Sequence, residues 1–256
     1  MSESIKLHRG DALDLLRTLP DASIDALITD PPYSSGGFTR GDRTGDTKAK
    51  YLQSDSQNQD RLADFAGDNR DQRGYAYWCT LWLSECLRIV KPSGVACLFT
   101  DWRQLPTTTD VLQAGGFVWR GIVPWHKPSS RPQAGRFNAS CEYVVWGSRG
   151  AMPVDYADAV LPGFYQAMPP RERDHITQKP LDVMRKLVRI APKGGTVLDP
   201  FMGAGTTGVA AVLEGRQFVG CEVVDEHFNS AQARILTARQ GYRDDGSQGV
   251  LLEDAS

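Results

Sequence analysis

The sequence predicts an α/β fold with a mostly parallel sheet, and two stretches carry that expectation. Thr196-Val197-Leu198-Asp199 reads as a buried strand. It runs into the glycine-rich turn 200–208, a helix to Leu213 and a further strand, Gln217 to Cys221, that closes on Glu222. Ser23 to Ile28 is a second short apolar strand, and it ends at Thr29-Asp30-Pro31-Pro32-Tyr33. Such strands, separated by stretches of helical spacing, are the pattern of βαβ units.

Composition narrows the class. A chain of 256 residues favours a single domain, 1–256, with a core large enough to need no disulfides. The cysteines at 79, 86, 97, 141 and 221 form no CxxC pair and lie mostly within apolar runs. Buried free thiols in a reducing compartment follow, with no metal site. The N-terminal Met-Ser-Glu-Ser shows no signal peptide and no apolar run nears membrane-spanning length, so a cytoplasmic protein without membrane contact is expected. A net charge of −2 excludes a generally basic nucleic-acid coat, so any such contact must be local.

Ile5 to His8 is the first strand, followed by Gly10-Asp11 and a short helix through Leu13, Leu15, Leu16 and Leu19. Asp11 is either an acceptor at a strand end or a helix N-cap. The strand from Ser23 stops at Pro31-Pro32 because neither proline has an N–H to continue a ladder. The stiff turn holds Asp30, the Pro31 carbonyl and the Tyr33 ring around one small space. That suits a flat ring bearing an amino group; an ordinary Asp-Pro turn is the plain alternative. Residues 34–74 hold seven acidic and seven basic residues and few apolar ones. They read as a polar flap over the pocket or as an insertion without fixed structure. Tyr75 to Val90 shows helical spacing, stopped by Lys91-Pro92-Ser93-Gly94. A strand (Val95 to Thr100), a helix (Gln104 to Ala114) and two strands (Phe117 to Val123, Cys141 to Trp146) come next. Residues 149–175 are loop-like, and Pro180 to Ile190 is an amphipathic helix with proline at its first position.

From Val111 to Cys141 the chain has no acid but carries Arg120, Lys127, Arg131 and Arg136 among Trp119, Trp125, His126 and Phe137. Basic groups hold phosphates and aromatic rings stack on unpaired bases, so these four cations are candidate DNA contacts; a solvated loop is the alternative.

Residues 203–208 match GxGxxG between a strand and a helix, with Glu222 lying 14 residues after Gly208. This is a nucleoside-binding βαβ pattern in which glycines admit the ligand to the backbone and the acid takes ribose hydroxyls. A dinucleotide is one candidate and implies an NAD-dependent oxidoreductase. Asp199, just before the turn, would repel a pyrophosphate and welcome an ammonium group. S-adenosylmethionine, with an α-amino group, a ribose and no phosphate, fits both Asp199 and Glu222.

With these motifs in place, the chain resembles the beta group of exocyclic-amino DNA methyltransferases, in which a DPPY motif precedes the cofactor motif. The resemblance runs through Gly10-Asp11, Asp30-Pro31-Pro32-Tyr33, Cys141 to Trp146, His175 to Pro180, Leu198 to Phe201 and Arg216 to Glu222. Two departures are Met202-Gly203-Ala204-Gly205, where the family usually has a smaller residue and Gly-Ser-Gly, and the long polar insert after Tyr33. The resemblance implies a seven-stranded, Rossmann-like S-adenosylmethionine-dependent fold with permuted motif order. The strand ending at Asp199 would lie beside the one ending at Asp30, and the first strand would lie beyond the one before Glu222. It implies Asp30, Pro31, Pro32 and Tyr33 as catalytic residues. Asp11, Thr177, Lys179, Asp199, Phe201, Gly203, Gly205, Thr206, Thr207 and Glu222 would form the S-adenosylmethionine site. Double-stranded DNA is the implied partner, read by segments 124–140, 149–175 and 34–74, and a homodimer the implied assembly. Asp at the first motif position resembles the adenine-N6 enzymes more than the cytosine-N4 ones. The adenine amino nitrogen is a poor nucleophile, and hydrogen bonds to Asp30 and the Pro31 carbonyl would aim its lone pair at the methyl. A non-catalytic DNA-binding module is the remaining alternative.

Overall fold

The computed structural model describes residues 4–32, 70–128, 134–156, 160–169 and 179–244. The elements in chain order are β1 (Ile5–Arg9), α1 (Ala12–Thr18), β2 (Ile24–Thr29), α2 (Gln72–Ile89), β3 (Val90–Thr100), α3 (Leu105–Ala114) and β4 (Val118–His126). They continue with β5 (Cys141–Ser148), β6 (Tyr165–Gln166), α4 (Leu181–Val188), β7 (Thr196–Asp199), α5 (Thr206–Leu213), β8 (Gln217–Glu222) and α6 (Asp225–Asp244).

One sheet of order β1-β8-β7-β2-β3-β5-β4-β6 runs through the chain. The five strands from β1 to β3 are mutually parallel, while β5 runs antiparallel to both β3 and β4. The sheet is therefore mixed, and it has eight strands where seven were expected. The addition is β6, parallel to the end of β4 inside the stretch read as loop. Two residues are too few to show a period; Tyr165 is buried, and Trp125 Nε1 donates to the Ala167 carbonyl at 3.1 Å to hold the strand in place.

Both faces of the sheet are covered. Ala26, Ile28, Phe99 and Val144 pack with α4, α5 and α6 on one side. Leu27, Leu98 and Val145 pack with α1, α2 and α3 on the other. Central strands are buried on both faces, and β2 is buried at all six positions, with Asp25 and Thr29 the polar exceptions to its apolar run. The two adjacencies implied by the resemblance hold: β2 pairs with β7 through Ala26–Val197 and Leu27–Leu198, and β1 pairs with β8 from Ile5–Phe218 to Arg9–Glu222.

Local differences have local causes. Lys91 to Gly94 do stop α2, but they lie within β3 as a bulge: Ile24 pairs with Val90 and Ala26 already with Val95. Ser93 adopts φ 69° there, and Lys91 Nζ reaches both Asp25 carboxylate oxygens at 2.8 Å. Pro180 is the N-cap of α4 rather than its first helical residue. Helix α6 had no counterpart in the sequence reading; Ala231 and Ile235 seat it on the core. Among the described residues the cysteines are free, no group of His, Cys, Asp and Glu could hold a metal, and no helix is long and apolar enough to cross a membrane.

Candidate active site

The site lies where β2 and β7, neighbours in the sheet, reach their C-terminal ends. Thr29 Oγ1 donates to Asp199 Oδ1 at 2.7 Å, joining the last residues of the two strands. Thr207 Oγ1, in the first turn of α5, donates to Asp199 Oδ2 at 2.6 Å, and the Phe201 N–H to Oδ1 at 3.1 Å. Asp199 is only 2% exposed. Burial pushes its carboxyl up to about 6 against the pull of these three donors. In this structure the carboxylate pins strand, turn and helix together.

The turn after Asp199 is built on left-handed glycines, Gly203 at φ 51° and Gly205 at φ 76°. A Cβ on Gly205 would meet the Ala231 Cβ at 2.8 Å, so close packing of α6 demands glycine there. Glu222 closes the turn from β8: Oε2 accepts the Gly203 N–H at 2.9 Å, and Oε1 accepts those of Val223 and Val224 at 3.0 and 2.9 Å. The Met202 and Gly205 N–H groups go to the carbonyls of Cys221 and Met202. Four of the N–H groups that a pyrophosphate would require are thus already engaged, two of them by carboxylates. Phe201 packs on Trp78 and Trp82, with ring centroids 5.1 and 5.2 Å apart. Asp11 is the N-cap of α1, accepting the Leu13 N–H at 2.8 Å, and the neighbouring Gly10 N–H donates to the Glu222 carbonyl.

Asp30 follows β2 directly and faces Lys179, whose Nζ donates to Asp30 Oδ2 at 2.5 Å. Lys179 Nζ also lies 3.2 Å from Glu142 Oε2, and Lys127 Nζ donates to Glu142 Oε1 at 2.7 Å. Burial raises the Asp30 carboxyl to about 6; Lys179 opposes that rise and the Glu142 charge adds to it. Burial would also raise Glu142, but the two lysines outweigh it and bring its pKa below the usual carboxylate value. Lys179 is held protonated by its two carboxylates, against its own burial. Asp30 Oδ1 is buried and has no hydrogen-bond partner among the described residues.

A model of a DNA methylase family matches residues 24–233. The chain belongs to that family. YubD of Escherichia coli (strain K12) is 26% identical over 248 residues, spanning 96% of this chain and 95% of that one. The type II methyltransferase M.HinfI of Haemophilus influenzae is 27% identical over 252 residues, 89% of this chain and 67% of that protein. Among solved structures, an M1.HpyAVI–SAM complex superposes with a TM-score of 0.63 at 24% identity, covering 90% of this chain and 98% of that one. The cytosine-N4-specific PvuII DNA methyltransferase does so with a TM-score of 0.66 at 18% identity, covering 94% of each. These two likenesses concern the fold.

In this DNA methylase, the residues singled out from the sequence take up different places. Asp30, Pro31, Pro32 and Lys179 gather at the end of β2; Asp199, Phe201, Gly203, Gly205, Thr206, Thr207 and Glu222 build or close the turn between β7 and α5; and Asp11 caps α1. Tyr33, Thr177 and Arg131 lie outside the described residues. Lys127 serves Glu142 rather than standing free, and Arg136 is exposed. Arg120 stands apart: its guanidinium donates to Ser148 Oγ and the Gly150 carbonyl, at the end of β5 remote from Glu142. Sequence reasoning missed Glu142 as a site residue. It was quoted only within Cys141 to Trp146, and nothing local reveals that β5 delivers it to Lys179. Trp102 and Arg103 were not singled out from the sequence either. They extend past the end of β3, with Trp102 51% exposed and the Arg103 guanidinium 4.9 Å from its ring.

Proposed function

We propose that this DNA methylase moves the methyl group of S-adenosylmethionine to the exocyclic N6 of an adenine flipped out of duplex DNA, at specific sites. The observation that carries this reading is Asp30 Oδ1, a buried acceptor without a partner among the described residues, beside a β7–α5 turn rich in carboxylates. Both M1.HpyAVI and TTHA0409 of Thermus thermophilus are described as complexes with that methyl donor. The residues here fit it: Glu222 and Asp11 suit ribose and adenine edges, Phe201 offers an aromatic wall, and the acidic surroundings favour a cation. Turn N–H groups already bonded to Asp199 and Glu222 speak against a dinucleotide and hence against an oxidoreductase.

When bound, the donor supplies a methyl made electrophilic by its sulfonium. The protein's work is alignment and exclusion of water. Asp30 Oδ1 accepts one amino hydrogen and the Pro31 carbonyl the other, which draws the nitrogen toward a pyramidal shape and frees its lone pair. Oδ1 is also placed to take the proton that the nitrogen sheds, and a carboxyl near 6 passes it to water at neutral pH. Flipping the base costs a few kcal/mol, partly offset by stacking on Tyr33. Lys179, committed to Asp30 and Glu142, orients Asp30 in this reading rather than holding the donor. Trp102 and Arg103, the latter also paired with Asp101, offer a ring and a cation to DNA beyond the end of β3, and Arg136 is an exposed cation.

The test is incubation with methyl-labelled S-adenosylmethionine and mixed-sequence duplex DNA, then nucleoside digestion and mass spectrometry. Labelled N6-methyladenine is expected. Labelled N4-methylcytosine would keep the mechanism and overturn the base, because the cytosine amino group presents the same two hydrogens. Donor binding without a labelled nucleoside would overturn the DNA substrate.

A further inference from the structure

Beneath the C-terminal edge of the sheet, four charged side chains form a row of alternating sign. Lys127 Nζ lies 2.7 Å from Glu142 Oε1, Glu142 Oε2 lies 3.2 Å from Lys179 Nζ, and Lys179 Nζ lies 2.5 Å from Asp30 Oδ2. The row begins at the end of β4, crosses the start of β5 and the residue before the N-cap of α4, and ends just past β2. Its register is fixed by backbone: His126 pairs with Cys141, and the Lys127 N–H donates to the Ser140 carbonyl at 2.7 Å. Lys179 is also walled on one side by Phe99, whose ring centroid is 5.2 Å from Nζ.

We infer that Glu142, itself held by Lys127, is a positioning residue for Asp30: it keeps the Lys179 ammonium on Oδ2 so that Oδ1 stays open to the target amino group. This rests on the functional reading above. An ammonium has three donors and no preferred plane, so beside a lone carboxylate it can bridge both oxygens. Glu142, on the other side of Nζ, draws it away from that bridge. Lys127 occupies Glu142 Oε1 and leaves Oε2, which has no hydrogen-bond partner among the described residues, to the charge of Lys179 3.2 Å away. Four buried or half-buried charges that sum to zero avoid the cost of an unpaired ion. The same row ties the end of β4 and the start of β5 to Asp30.

The charges facing Asp30 are Lys179, Glu142 from β5 and Lys127 from β4, with Asp199 on β7 and the Tyr75 hydroxyl on α2 also near. Glu142 holds the Asp30 carboxyl up and Lys127 holds it down. Removing them therefore moves it in opposite senses.

The experiment is the pH dependence of kcat for wild type, Glu142→Gln, Lys127→Met and Glu142→Asp on full-length protein. Donor affinity is read by calorimetry in the same preparations. Glu142→Gln is expected to lower kcat about ten- to a hundredfold with donor affinity retained, and to shift the acid limb to lower pH. Lys127→Met is expected to shift that limb to higher pH. Glu142→Asp, shorter but still charged, loses kcat and leaves the limb in place. Shifts of the same sign, or a uniform loss at all pH values, would overturn the inference and leave a merely structural ion cluster. A 13C NMR titration of Asp30 in the same variants reads the opposite shifts without turnover. An inactive wild type would then sink the functional reading separately, while the titration still decides the role of the row.

Discussion

At the scale of single residues, two aspartates that look alike in sequence have different surroundings. Asp30 has one oxygen held and one without a hydrogen-bond partner among the described residues; Asp199 has both oxygens bonded to Thr29, Thr207 and the Phe201 N–H. Replacing Asp30 by Ala is expected to cut methyl transfer by about 10²–10⁴ while donor affinity stays within its order of magnitude; parallel turnover and calorimetry check this. Because Asp30 must be ionised to accept an amino hydrogen, kcat is expected to rise with pH through about 6. Asp199→Asn tests the other role through stability. The folded-state carboxyl is raised from the ordinary 3.8 to about 6, so the folded protein holds this proton more tightly than the unfolded chain does. Its stabilising effect is complete below the unfolded value and is lost as pH rises through about 6. The full span is about 3 kcal/mol. Melting temperatures at acidic and mildly alkaline pH should show wild type gaining on the Asn variant at acid pH. A constant difference between the two would refute the assignment.

At the scale of elements, what the sequence discloses depends on whether a residue acts through its neighbours in the chain or through the sheet. The prolines after β2 and the strand–turn–helix–strand unit from Thr196 to Glu222 are local, and their residue types alone announced them; for Asp11 the cap was one of two readings. The contact between Glu142 and Lys179 depends on β5 running antiparallel beside β3, which no spacing encodes. Arg120 and Lys127 illustrate the same limit: both are cations in an acid-free stretch, yet one ties down the far end of β5 and the other serves Glu142. Arg120→Ala is therefore expected to leave the DNA KM unchanged and to lower stability, read as a reduced urea midpoint. The glycine turn was recognised for a ligand, yet Gly205 is also a packing position. Gly205→Ala forces both a left-handed alanine and a 2.8 Å contact with Ala231, so a loss of about 1–3 kcal/mol in urea unfolding is expected even without ligand. An unchanged midpoint would mean that α6 yields freely.

For the whole molecule, the sheet order places β2, from the first eighth of the chain, directly against β7, from its last quarter. The core on one face mixes Ala26 and Ile28 with Val183, Ala210 and Ile235, so the two ends of the chain share one apolar interior. Neither end can bury its strand without the other, and cooperative unfolding is the expected outcome. The proposed donor site spans the same junction, between the turn after β7 and the residue after β2. A ligand there binds only when both are in place, and its free energy is added to the folded state as a whole. At a donor concentration of one hundred times Kd the added stability is about 2.7 kcal/mol. For a chain of this length that corresponds to a rise in Tm of roughly 5–10 °C. The expected calorimetric trace is one transition that moves upward intact as S-adenosylmethionine is added, in wild type and in Asp30→Ala alike. Two transitions, of which only one responds to the donor, would show that the ends fold apart and that the site belongs to one of them alone.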